Sequence, residues 1–508
     1  MNCILDHGFR RKCFPALLLF SVLGFCQAAR CEIAVEPACA SLAFTSNDPV
    51  VRRALDMVSA GKFNASESLL SANTNNAPGE VLRARSEAAE IIRRIRVEYS
   101  LDAEGLLAKV RKSVPDATAR EVARWAKETK ARYRVIDGKK LFFRREPQNI
   151  FLFSEAAQKR RAQAGNAPAD TKSKLAEHLK AVVDEAEGTG NIQVQPVHHR
   201  VAHTVTIHAN TPGVKAGSLV RAWLPFPQEY RQQHEVKLIS ASPEPKLIAP
   251  SGVEGNPVGG GAQRTIYFEQ RVTNPAKPIE FKIVFDYTSC AYYPKLDPAA
   301  AQPLPAGWNG AFLGQRPPHI VFTPEIRKQV ARIVGTETNP LEKARRIFRW
   351  VSANVAWNAE DEYCIIPSLA VKGFTARRGD CGIQGTVFIT MCRIAGIPAR
   401  WQSGYEMKPA DSNWGMHDWS EIYIAPWGWL PADASYGVQE SNDLRIAEFY
   451  CGHQDSYRMI INLDWGRELM PPKQSLRSEP ADFQRGEVEV DGRNLYFDDW
   501  DASTEKLP

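Results

Sequence analysis

The sequence predicts an α+β chain of three modules in series: a small helical module, an antiparallel β-sandwich-like module, and a module in which helices precede strands. Three observations carry this. Helical spacing of apolar residues dominates up to residue 153, a period of two dominates from 196 to 295, and helical spacing returns at Thr323 before strands resume at Ala399. A chain of 508 residues also exceeds what one compact core holds, so several domains are expected. Apolar residues make up 44% and charged residues 24%, a globular balance that excludes a disordered chain. A net charge of +6 is small for this length and gives no ground for a nucleic-acid partner.

Residues 1–28 read as a signal peptide. Arg10, Arg11 and Lys12 precede an almost wholly apolar run from Phe14 to Phe25, and the small residues Cys26 and Ala28 suit cleavage after Ala28. The run is shorter than the roughly 20 residues a membrane-crossing helix needs, and no later segment is long and apolar enough to span. Phe25 is too large for the position before a lipidated Cys26. The protein is therefore expected in the periplasm or outside the cell. Seven cysteines would remain: Cys31, Cys39, Cys290, Cys364, Cys381, Cys392 and Cys451. An odd number leaves one thiol over in an oxidising compartment, with the pairing of the rest open. Without Cys-x-x-Cys or paired Cys/His spacings, neither a metal nor another cofactor is expected.

In the helical module, residues 29–153, Leu82, Ala89, Ile92 and Ile95 share one helix face. Thr118 and Glu121 form a helix-start signature, and Asp137-Gly138 between apolar runs marks a hairpin. Helix, helix, hairpin is the order of a winged-helix unit. Between Arg83 and Arg145 stand 18 Lys/Arg against 9 Asp/Glu. On an exported protein this basic face is expected to be solvated or to meet an acidic envelope polymer or protein rather than DNA. Residues 154–195, rich in Ala, Lys, Glu and Gln, read as a partly helical linker. In the module at 196–295, Val201, His203, Val205 and Ile207 alternate, and Ile279, Phe281, Ile283, Phe285 and Tyr287 form the cleanest period-two run. His203 and His208 are expected on a solvated strand face.

The chemistry concentrates in residues 318–463. Arg378-Gly379-Asp380-Cys381-Gly382 precedes a stripe of Ile383, Val387, Met391 and Ile394, so Cys381 opens a buried helix that ends at Gly396. Unpaired N–H groups and the helix dipole there are expected to favour a thiolate and to offer oxyanion donors. Gly379 and Gly382 are expected to let a substrate backbone approach the sulfur. His417 opens a strand, and Pro426-Trp427-Gly428 turns the chain back toward Asp433. Asp433 can then orient the imidazole and aim its second nitrogen at sulfur. Asp380 is expected to cap the helix, and Asp418 to point away from the face of His417. Asn354, Trp357 and Gln384 are open choices for a side-chain oxyanion donor. Trp414 is a candidate groove residue, and His453 a weaker alternative histidine.

Gly-Asp-Cys at a helix start, a strand with His-x-Trp, and an aromatic-Gly-Trp turn leading to Asp resemble the transglutaminase-like superfamily. The β-rich module, with Arg221 to Pro227 reading Arg-Ala-Trp-Leu-Pro-Phe-Pro, looks like the one that often precedes bacterial members. The resemblance implies a cysteine-protease/transglutaminase-like catalytic core and metal-free acyl transfer. By position, Cys381 would be the nucleophile, His417 the general base and acid, and Asp433 the orienting carboxylate. A peptide or protein substrate is implied, with hydrolysis through a thioester as the leading reading. A protein-crosslinking transglutaminase and a non-catalytic envelope binding protein are the alternatives. The tail at 464–508 reads as an extended segment wrapping the domain.

Overall fold

Local signals at the chain's front become helices with defined ends. The computed structural model describes residues 42–72, 78–166, 172–252, 261–406 and 415–508; the expected signal peptide, Cys31, Cys39 and Trp414 lie outside them. Helix α1 (Gly79–Glu98) buries Ala88, Ile91, Ile92 and Ile95. Helices α2 (Ala103–Arg111) and α3 (Ala119–Glu128) follow, the latter opened by a full capping box between Thr118 and Glu121. The hairpin β1 (Tyr133–Ile136) and β2 (Lys139–Phe142) turns at Asp137 and Gly138, both with positive φ, the conformation an Asp-Gly turn supplies. This module shares its core with the rest of the chain, because Ala359, Ile365 and Tyr496 pack among its apolar residues.

Part of its basic charge is answered from within. Arg132 reaches Glu360 and Asp361, Arg144 reaches Glu98 and Glu362, and Arg93 reaches Asp498. The acidic counterpart expected from an envelope polymer is thus supplied, for these side chains, by the protein's own later segments. The stretch expected as a linker contains α4 (Lys172–Thr189), whose Leu179, Val182 and Val183 are buried in the largest hydrophobic cluster, with Ile347, Phe348 and Phe388.

The sandwich begins with β3 (Gln193–Ile207), β4 (Leu219–Pro225), β5 (Gln233–Ser242), β6 (Leu247–Ile248), β7 (Thr265–Arg271) and β8 (Ile279–Tyr292). Alternate residues of β8, Phe281, Ile283, Phe285 and Tyr287, are almost fully buried, each such side chain contributing about 1.5–3 kcal/mol. The mixed helix-and-strand core follows with α5 (Pro340–Asn354), α6 (Cys381–Ile394), β9 (Ala399–Glu406), β10 (Gly415–Ile424), β11 (Gly428–Ala432) and β12 (Arg458–Asn462). Its four strands form an antiparallel sheet in the order β11-β10-β9-β12. Ile383, Val387, Phe388, Ile389 and Met391 of α6 are all buried, as expected of a helix apolar on most of its sides.

The tail forms β13 (Glu487–Val490), β14 (Arg493–Leu495) and β15 (Trp500–Leu507). It wraps back and completes the sandwich, giving sheets ordered β14-β13-β4-β7-β6 and β15-β3-β8-β5. Because the sheets combine strands from Gln193–Tyr292 with strands from Glu487–Leu507, the helix-and-strand core is inserted, in chain order, between two parts of one sandwich. That connection brings residues 478–485 to the cleft lined by Cys381.

Candidate active site

Cys381 stands at the first position of α6. Asp380 caps the helix, accepting from Ile383 N at 3.2 Å, as the sequence suggests. The side chain of Cys381 is half-buried and lines a cleft of about 280 Å³. It is a free thiol, like the other four cysteines among the described residues.

Strand register separates the environments on β10. Asp418 and Ser420 share the face against which α6 packs; Ser420 Oγ approaches Gly385 O at 3.4 Å. His417, Trp419 and Glu421 share the other face, where Trp419 donates to Gln402 and Glu421 accepts from Arg400. On that second face His417 Nε2 meets Asp433 Oδ2 at 2.7 Å, both residues being buried. Arg458 approaches the same carboxylate at 3.4 Å, and Asp433 Oδ1 accepts from the backbone of Ser435 and Tyr436. Glu406 adds a second carboxylate 3.7 Å from Nε2. Burial pulls the imidazole pKa down, but Asp433 and Glu406 outweigh it and hold it above 6.5. With Nε2 engaged by carboxylates, Nδ1 is the nitrogen left for proton transfer.

The hydrogen bond of Cys381 Sγ goes to Asp418 Oδ2, at 3.4 Å, and not to His417. Tyr363 Oη lies 2.8 Å from Asp380 and 3.0 Å from Asp418. A phenol has one proton; with the thiol and Gln484 donating to Asp418, Tyr363 can give its proton to Asp380. Burial, then neighbouring Glu360 and Asp418, push Asp380 up to about 7, and burial raises Asp418 as well. Burial together with Asp418 and Asp380 holds the thiol well above the ordinary cysteine value. The thiolate expected at the helix start is opposed here by adjoining carboxylates and desolvation.

The two glycines also have a different role from the one expected. A Cβ at Gly382 would sit 2.2 Å from Tyr363 Oη and 2.7 Å from Asp418 Oδ2, and one at Gly379 would strike Ile383. Both are required by packing inside the protein. Among the oxyanion choices, Gln384 donates to Val355 O and Asn354 to Trp350 O, whereas Trp357 lines the cleft and is 38% exposed. Both nitrogens of His453 engage backbone carbonyls. His203 is buried rather than solvated, held by Thr504 and Arg485 O, while His208 is exposed beside Asp501.

The sequence reading missed the contribution of the tail. Gln484 Nε2 lies within hydrogen-bond distance of Gly404 O, His417 O and Asp418 Oδ1, linking β9 and β10 at the cleft. Asp482 and Arg485 line the same cleft. Tyr363 was likewise unforeseen, and no local motif distinguishes these residues from ordinary loop side chains.

Residues 327–434 match the family model of the Transglutaminase-like superfamily, so this segment is a transglutaminase-like domain. An uncharacterized Haemophilus influenzae protein is 28% identical over 212 residues, 35% of this chain and 57% of that protein. YebA of Bacillus subtilis is 26% identical over 129 residues, 22% of this chain and 17% of YebA. The chain thus matches little more than half of the first relative and a sixth of the second. Similar solved structures include a candidate cysteine protease from Cytophaga hutchinsonii, with TM-score 0.40 and 16% identity, covering 62% of this chain and 92% of that one. The periplasmic domain of TgpA from Pseudomonas aeruginosa gives TM-score 0.23 and 16% identity, covering 55% and 95%. The family is one of thiol-dependent enzymes. No helix among the described residues is long and apolar enough to cross a membrane.

Proposed function

We propose that this protein is an exported thiol-dependent acyl-transfer enzyme that hydrolyses peptide or amide bonds through a thioester on Cys381. The observation that carries this is the buried 2.7 Å contact of His417 with Asp433, which fixes one ring nitrogen and leaves the other for proton transfer. In this reading Cys381 and His417, which stand on opposite faces of β10 here, meet by a rearrangement at the start of that strand; Sγ yields its proton to Nδ1, then bonds to the substrate carbonyl carbon. The C–N bond breaks as His417 protonates the departing amine. Water next adds to the thioester while His417 takes its proton; the C–S bond breaks, releasing the acid and returning the proton to sulfur. Backbone N–H groups at the start of α6 are the nearest oxyanion donors of fixed geometry.

Turnover of a peptide library by the protein, by Cys381→Ala and by His417→Ala, with and without a primary amine, tests this reading. Loss in both variants supports it, an amine adduct replaces hydrolysis with crosslinking, and full turnover by Cys381→Ala rejects it. A second reading, a non-catalytic binding protein, draws on the carboxylates that hold the thiol protonated. In that case iodoacetamide labels Cys381 no faster with a bound peptide than without one.

A further inference from the structure

The carboxylates around the cleft divide into two sets. Lys372 lies within 3.0 Å of both Glu360 and Asp361, which Arg132 also reaches. Arg485 spans Glu362 and Glu479 at 2.6 and 2.5 Å. Asp380, Asp418 and Asp482 belong to the other set, with no lysine or arginine at ion-pair distance among the described residues. Asp482 is the most telling. It is only 7% exposed, lines the cleft, and its carboxylate has neither a hydrogen bond nor an ion pair among the described residues; only its backbone carbonyl is engaged, by Arg477. A buried carboxylate without a partner is costly, and a cation entering the cleft removes that cost.

We infer that Asp418 and Asp482, supported by Asp380, form a subsite for the free α-ammonium group of a peptide's first residue, the residue whose carbonyl Cys381 attacks. This rests on the reading of Cys381 as nucleophile and narrows its substrate class to peptides with an unblocked amino terminus. Distance selects the α-nitrogen. The attacked carbon lies about 3–3.5 Å from sulfur in a reactive complex. The α-nitrogen is two bonds from that carbon, about 2.5 Å. Asp418 Oδ2 is itself 3.4 Å from sulfur, within the same small volume. A lysine ε-ammonium, four carbons further out, overshoots it. Once an ammonium engages Asp418, that carboxylate is lost as the acceptor of the thiol's hydrogen bond, so substrate binding releases Sγ from Asp418.

The test uses three methanethiosulfonates with one leaving group: 2-aminoethyl (cationic), methyl (neutral) and 2-sulfonatoethyl (anionic). Each forms a mixed disulfide on Cys381 with loss of methanesulfinate, the thiol proton going to solvent. Rates are read by peptide mapping of Cys381 and divided by those of a small free thiol. The wild-type protein is expected to favour the cationic over the anionic reagent by about 100-fold, and Asp482→Asn to lower that preference about tenfold. A normalised ratio within about threefold of unity for the folded wild-type protein overturns the subsite, whatever the fate of the variant. Protection against the methyl reagent then distinguishes the amine. Alanine amide is expected to protect, and N-acetylalanine amide and Nα-acetyllysine amide to fail; equal protection by acetyllysine amide overturns the α-amino assignment. The two readings fail separately. Charge-blind labelling with turnover that needs Cys381 rejects the subsite alone, while charge-selective labelling with turnover indifferent to Cys381→Ala rejects the catalytic reading.

Discussion

The two faces of strand β10 hold the same kinds of groups in opposite electrostatic conditions. On one face His417 sits between Asp433 and Glu406, with Arg458 closing the set, so each charge has an answer. On the other, Cys381 meets Asp418, and Asp380 and Asp482 line the same cleft, none of the three carboxylates in an ion pair with a lysine or arginine among the described residues. A matched network holds a side chain in one orientation and one protonation state, whereas an unmatched one is poised to change when a ligand arrives. The contrast gives fixed geometry to the histidine side and, in the proposed function, substrate-dependent chemistry to the cysteine side.

The largest effect that sharpens this contrast is loss of the nucleophile: Cys381→Ala should lower kcat by about 10⁴-fold or more, read on any peptide the protein turns over. Removing the carboxylate on the matched face comes next. Asp433→Asn should cut kcat by roughly 10²–10⁴-fold through the wrong imidazole tautomer. It should also move the acid limb of the pH profile. The base acts when neutral, so activity rises with pH through the value of His417, which Asp433 and Glu406 hold above 6.5 against the effect of burial. Taking away one of those charges lowers that value, and the limb shifts to lower pH. An unmoved limb would separate His417 from the rate.

On the unmatched face, labelling of Cys381 by iodoacetamide without substrate should be about tenfold slower at pH 7 than for a free thiol and climb into the alkaline range, because burial and Asp418 hold the proton on sulfur. A fast rate at pH 5 would contradict the unmatched arrangement. A smaller effect concerns stability. Burial, with Glu479 and Asp418, raises Asp482 well above 3.8, so its favourable contribution is complete below that value and is lost as pH rises through the folded value. At pH 8 Asp482→Asn should therefore stabilise the protein by ~1–3 kcal/mol, and the gain should shrink toward pH 4; denaturant unfolding at both pH values checks this. Finally, Gly382→Ala should destabilise by ~1–3 kcal/mol, since its Cβ meets Tyr363 and Asp418 rather than open space.

By itself the sequence determined the elements whose signals are local. The Thr118 capping box, the Asp137-Gly138 turn, the alternation along Ile279 to Tyr287 and the Asp380 cap of the Cys381 helix are all set within a few neighbours, and each stands in the structure as read. The juxtaposition of His417 with Asp433 was legible too, because a hairpin places its strands side by side. What tertiary structure alone decided is the charge around the sulfur. Asp482 and Gln484 come from a tail some 100 residues beyond Cys381, carried back by strands that close the sandwich. Arg132, Arg144 and Arg145 of the front module are answered by Glu360 to Glu362, more than 200 positions away. Electrostatic environment is a sum over everything packed nearby and over the water that packing removes, and neither is encoded at any one place along the chain.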